Sequence, residues 1–207
     1  MIRIFIALVL FVAGYSASAQ PEIAINNKAV ELMDEERYEE ALVILDKLVQ
    51  EYPTVTQYRE NRAATYFGLK EFSKCIADYK LLFETFPEAE YAFQIANAFE
   101  HMDNFSNSIA YYSKAIELEN DNYLTFFKRG TVFLKMKNFS NAAEDFSQAI
   151  KLNPEHHNSF HNRGIALYQS DRHEQACSDW CRAMELGNTY SAEHLKKNCK
   201  TIPAACK

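Results

Sequence analysis

Three histidines crowd the string "EHHNSFH", and His157 and His161 stand four residues apart, the spacing that sets two imidazoles on one face of a helix. Two such groups are half of a tetrahedral zinc site. No acid or cysteine is spaced to complete that set locally. Cys177 and Cys181 repeat the same spacing, and Cys199 and Cys206 follow within the last thirty-one residues. Four thiols of this kind serve either as metal ligands or as two disulfides, according to the redox compartment. Cys75 stands alone, so the odd count leaves at least one thiol unpaired in a monomer.

Other reactive patterns are missing from the sequence. It contains no glycine-rich phosphate loop, no Gly-x-Ser-x-Gly and no His-Glu-x-x-His. The acidic strings "DEE" and "YEE" fall near helix ends, where carboxylates are solvated or support the helix dipole. Nothing beside them supplies the apolar pocket that would raise one carboxyl into an acid catalyst. The reading is therefore of a non-enzyme without a cofactor.

The elements that must position these residues emerge from a repeat. Tyr38, Phe72, Phe105 and Phe139 follow one another at 34, 33 and 34 residues, and one further step of 34 reaches His173. The strings there are "RYEEA", "EFSKC", "NFSNS", "NFSNA" and "RHEQA". Upstream of each lies a small residue (Ala29, Ala63, Ala96, Gly130, Gly164) and three residues downstream another (Ala41, Cys75, Ser108, Ala142, Ala176), where two helices can cross closely. Seven residues after each marker comes Leu45, Tyr79, Tyr112, Phe146 or Trp180, and six before it Leu32, Tyr66, Phe99, Phe133 or Leu167, which fill the space between them. Pro53, Pro87 and Pro154 stop one unit before the next begins. Each unit is two antiparallel helices, and a period in this range signals a solenoid.

This pattern resembles the tetratricopeptide repeat, in five copies at about 22–55, 56–89, 90–122, 123–156 and 157–188. The resemblance implies an all-α right-handed superhelix whose tail, 189–207, contributes a capping helix near Tyr190 to Asn198, with a break at Pro203. The close "ACSDWCRAMELG" followed by a helix ending in cysteine is similar to that of exported bacterial repeat proteins. A helix docked there would bring Cys199 to Cys177, with Cys181 to Cys206 as a second pair, while Cys75 occupies a small-residue packing position.

First helices line a concave groove in this family. Carried onto matching positions, the resemblance implies a partner-binding surface from Phe67, Phe93, Asn97, Phe127, Thr131, Asn158, His161 and Tyr168, together with Gln57, Glu60, Glu90 and Leu124. Phe93, Phe127 and His161 form a ladder at one repeat position, serving either ligand contact or packing between neighbouring helices. Lys128 and Asn162 alone are insufficient for the lysine–asparagine clamp with which some relatives hold a C-terminal carboxylate.

The bulk properties agree with an interaction module. With 48% hydrophobic residues, five glycines and five prolines, the chain of 207 residues suits a helical globular fold. Its 22 basic residues are scattered among 28 acids for a net charge of −6, which disfavours nucleic acid as a partner. The first nineteen residues, with Arg3, an apolar run from Ile4 to Ala13 and Ala17-x-Ala19, have the layout of a signal peptide, so the mature chain is expected to start at Gln20. Ten apolar residues are too few to span a bilayer, which takes about 20. The expected protein is exported, whether periplasmic, surface-associated or secreted, and binds a peptide or partner protein in its groove. The alternative is an accessory ligand- or metal-binding role for the histidine-rich fifth copy.

Overall fold

The computed structural model describes residues 21–199 and 206. The leader-like segment, Gln20 and the Pro203 break lie outside the described residues. Eleven helices follow one another among the described residues, with no strand. They are α1 (Pro21–Asp34), α2 (Tyr38–Glu51), α3 (Thr56–Gly68), α4 (Phe72–Thr85), α5 (Ala89–His101) and α6 (Phe105–Leu118). Then come α7 (Tyr123–Lys135), α8 (Phe139–Leu152), α9 (His157–Tyr168), α10 (His173–Glu185) and α11 (Tyr190–Asn198).

Each marker residue opens the second helix of a pair, and two residues before it the backbone turns left-handed. Glu36, Lys70, Asp103, Lys137 and Asp171 have φ between 53° and 60°. That conformation reverses the chain within three residues, so the two helices of a pair lie antiparallel. Asn104, Asn122 and Asn138 cap α6, α7 and α8 by accepting from the backbone N–H of Asn107, Leu124 and Asn141.

The small residues meet where helices cross, and the large ones seven positions past each marker fill the space beside them. Leu45, Tyr112 and Phe146 are 0% exposed and Trp180 1%. The core is thus a row of clusters along the stack, as expected when each pair buries its apolar face only against its neighbours. Every helix packs on the next in sequence. First helices also touch across pairs, α1 on α3, α5 on α7 and α7 on α9, whereas successive second helices make no comparable contact. First helices therefore run along one side of the stack.

Candidate binding surface

The candidate surface lies on the side that carries the first helices α3, α5, α7 and α9. Its best-defined part is the junction of α5 and α7. Phe93 is half-buried, its ring leaning edge-on to Tyr112 of its own pair at 5.5 Å between centroids. Phe127 is likewise half-buried, with Phe146 at 5.8 Å and His156 at 4.7 Å. Across the same two helices the Lys128 ammonium donates to Asn97 Oδ1 at 3.4 Å. Lys128 is half-buried and no carboxylate pairs with it among the described residues. The Thr131 hydroxyl donates to Phe127 O at 2.9 Å, so it turns back onto its own helix.

Other groups from the predicted surface are placed differently. Phe67 packs edge-on to Phe72 and His101, and Tyr168 lies against His173 and Trp180, both at the far ends of their helices. His161 faces α11: its Nδ1 is 2.8 Å from Ser191 Oγ and its ring is 5.3 Å from that of His194. Burial pushes its pKa below the ordinary value, with His194 and His157 adding repulsion to its charged form. Asn158 accepts from Asn188 at 3.0 Å. The three rings of the ladder thus differ in surroundings: Phe93 and Phe127 are half-buried against Tyr112 and Phe146 of their own pairs, whereas His161 lies against the last helix.

Beneath this surface runs a polar network. Glu100, 8% exposed, accepts from Lys135 at 2.7 Å and from Tyr112 Oη at 3.2 Å. Glu60 accepts from Tyr91 Oη at 2.5 Å. These acids spend their oxygens on neighbouring helices, so they link pairs to one another.

Two Ser–His contacts have the separation of a nucleophile and its base, Ser159 to His156 at 2.7 Å and Ser191 to His161 at 2.8 Å. Both serines are 0% exposed, so neither hydroxyl can reach an external substrate. Cys75 is also 0% exposed, and burial pushes its thiol up to about 12, far from a reactive thiolate. Metal-ligating groups gather at one place among the described residues, where Cys181, Glu185 and Cys206 bring ligand atoms within 4.8 Å of one another. His157 and His161 are not part of that group, and their Nδ1 atoms lie 3.4 Å from Asn188 Nδ2 and 2.8 Å from Ser191 Oγ. Cys177 sits opposite Cys199 at a Cα separation of 5.9 Å, and Cys181 opposite Cys206 at 5.6 Å, with the sulfurs paired in both cases. These separations suit disulfides.

Sequence reasoning missed one recurring arrangement. Arg62 with Asp78, Arg129 with Asp145 and Arg163 with Asp179 form two-pronged pairs across the two helices of a unit. The third guanidinium nitrogen reaches back to the preceding unit, to Asp46, Ser113 and Ser147 respectively. The available signal was an arginine followed sixteen residues later by an aspartate, recurring in register with the repeat.

The family profile described as "Tetratricopeptide repeat" matches residues 89–122 and 123–156. Residues 89–156 are two tetratricopeptide repeats. No curated protein matches it in sequence. Its fold is similar to that of "MamA 41-end from Desulfovibrio magneticus RS-1", at TM-score 0.74 and 12% identity over 81% of this chain and 95% of that one. It is similar also to "YrrB: a TPR protein with an unusual peptide-binding site", at TM-score 0.71 and 17% identity over 87% and 95%. "First TPR of Spaghetti (RPAP3) bound to HSP90 peptide SRMEEVD" matches at TM-score 0.52 and 23% identity over 54% of this chain and 90% of that one. In this stack no described helix is long and apolar enough to cross a membrane.

Proposed function

We propose that the protein is a non-catalytic scaffold that holds a peptide segment, or an extended piece of a partner protein, on the inner side of its first helices. The observation that carries this reading is the α5–α7 junction. Lys128 there is a half-buried cation with no carboxylate partner among the described residues, it donates to the Asn97 amide oxygen, and the same two helices carry the half-buried rings of Phe93 and Phe127. Rings supply contact area at low entropic cost, while the amide and ammonium can satisfy a peptide's backbone carbonyls or an acidic side chain. Two of the structurally similar proteins, YrrB with its peptide-binding site and the first TPR of Spaghetti bound to an HSP90 peptide, point the same way.

The last helix, α11, we read as a cap. It covers the far side of α10, where Trp180 and Leu195 are 1% and 3% exposed, and the two cysteine pairs fasten it. Cysteine pairing and the leader-like opening segment together support action outside the cytoplasm.

The test is selection of binders from a random peptide library, followed by titration of those binders into an Asn97→Ala/Lys128→Glu variant. Loss of binding with an unchanged melting temperature supports the reading. Failure to select any peptide, or equal affinity for the variant, overturns it.

A further inference from the structure

A second surface lies on the edge where one helix pair passes to the next. Each of the four junctions between pairs exposes one large apolar side chain: Val55 at 37%, Phe86 at 49%, Leu118 at 49% and Leu152 at 37%. They sit at the end of a second helix or just before the following first helix. At the two middle junctions the flanking residues are acidic, Glu84 and Glu88 beside Phe86, then Glu117, Glu119 and Asp121 beside Leu118. All five acids are exposed. None takes part in an ion pair among the described residues. Neither 84–88 nor 117–121 contains a lysine or arginine. The turns within pairs are different, since Glu35 with Arg37 and Glu71 with Lys74 mix the two signs.

We propose that this edge docks a cationic amphipathic helix of a partner protein. Exposed rings and leucines leave apolar area that a partner can remove from water, and surrounding carboxylates select basic flanks. An anionic membrane surface is repelled by the same five charges, and a second copy would set acid against acid. This surface is separate from the inner side, and its occupation is independent of peptide binding there.

The probe is a fluorescent synthetic helix of about 18 residues with leucine along one face and lysine elsewhere, followed by anisotropy. Phe86→Ser/Leu118→Ser removes the apolar contacts and Glu88→Lys/Glu119→Lys reverses the charge. Both changes lie on exposed side chains, and circular dichroism verifies the fold. Each is expected to weaken binding at least about tenfold, with the charge-dependent part declining as salt rises. A distant reversal, Glu39→Lys/Glu174→Lys, and the groove variant Asn97→Ala/Lys128→Glu should bind as the wild type does. The proposal is overturned if the wild type fails to bind the probe or if Phe86→Ser/Leu118→Ser binds undiminished. It is overturned equally if the distant reversal weakens binding as much as the reversal at the edge, or if the groove variant loses it.

Discussion

Arg129 grips Asp145 with two nitrogens, Nε and Nη2 each 2.8 Å from a carboxylate oxygen, and its third nitrogen reaches Ser113 of the preceding pair at 2.9 Å. The aspartate side chain is 6% exposed and the arginine 20%, so the contact is largely dry. Burial pushes the Asp145 carboxyl up, against the downward pull of the guanidinium. The third repeat does without the pair: the same two positions, ten before and six after Phe105, hold Ile95 and Tyr111. Lys80 of the preceding unit there lies over the Tyr111 ring at 5.8 Å instead.

Asp145→Ala should therefore cost about 3–5 kcal/mol, because it leaves a guanidinium buried without its partner. Replacing both, as Arg129→Ile with Asp145→Tyr, should recover most of that loss, since apolar substitutes for a buried ion pair are often neutral. Urea unfolding of the two variants checks the contrast. Equal destabilisation of single and double variants would show that the pair contributes through shape and not charge.

Gly164 should tolerate no side chain. A Cβ built there lies 2.5 Å from Trp180 Nε1 and 2.7 Å from its Cδ1. Trp180 cannot easily retreat, being 1% exposed and donating from Nε1 to His161 O at 3.2 Å. Gly164→Ala should destabilise by about 1–3 kcal/mol through overpacking. At Gly130 the nearest atom, Phe146 Cε1, is 3.0 Å away, so the alanine there should cost less, offset by about 1 kcal/mol of helix propensity. Denaturant midpoints of the two variants rank them.

The helix-pair architecture was legible because its signal is a packing requirement. A small residue must stand where helices cross and a large one beside it, so Gly130 and Phe146 recur in type at each unit even where the marker itself becomes His173. The Arg–Asp pairs were hidden for the opposite reason: in sequence Arg129 and Asp145 look like two solvated charges, and only the crossing of α7 with α8 makes them partners. The binding surface was half legible. Repeat position put Phe93, Phe127 and His161 in one register, but which ring stays open depends on what stands alongside. For His161 that is α11, an element outside the repeat.

His161 should make stability depend on pH. Its pKa in the fold is lowered by burial, then by His194 and His157, below the ordinary 6.5. A group with a depressed cationic pKa is neutral in both states at high pH; below 6.5 the unfolded chain takes up a proton that the fold refuses. Stability is thus fully present above the unfolded pKa and declines as pH falls from there toward the folded pKa. His161→Asn should flatten that part of the melting-temperature profile between mildly alkaline and mildly acidic buffer. A profile as steep as the wild type would assign the dependence to other groups, His156 first, whose pKa is lowered by burial and by His157.

The cysteine pairs decide whether the last helix is fastened or merely packed. Cys177 and Cys199 enclose 22 residues in sequence separation, and a disulfide there is worth about 3 kcal/mol by the loop-entropy account. Peptide mapping without reduction should recover Cys177 with Cys199 and Cys181 with Cys206, leaving Cys75 as a thiol. Reduction should lower the melting temperature, and Cys177→Ser/Cys199→Ser should reproduce most of that drop, because that pair joins α10 to the end of the helix lying on it. The same experiment tests the competing chemistry at Cys181, Glu185 and Cys206, whose ligand atoms converge within 4.8 Å. As a disulfide the two sulfurs cannot coordinate a metal, so oxidised protein should bind no zinc in titration. Mapping that finds Cys181 and Cys206 as free thiols, together with zinc uptake lost in Cys181→Ser, would make the site a metal centre instead and leave only Cys177 with Cys199 to hold the helix in place.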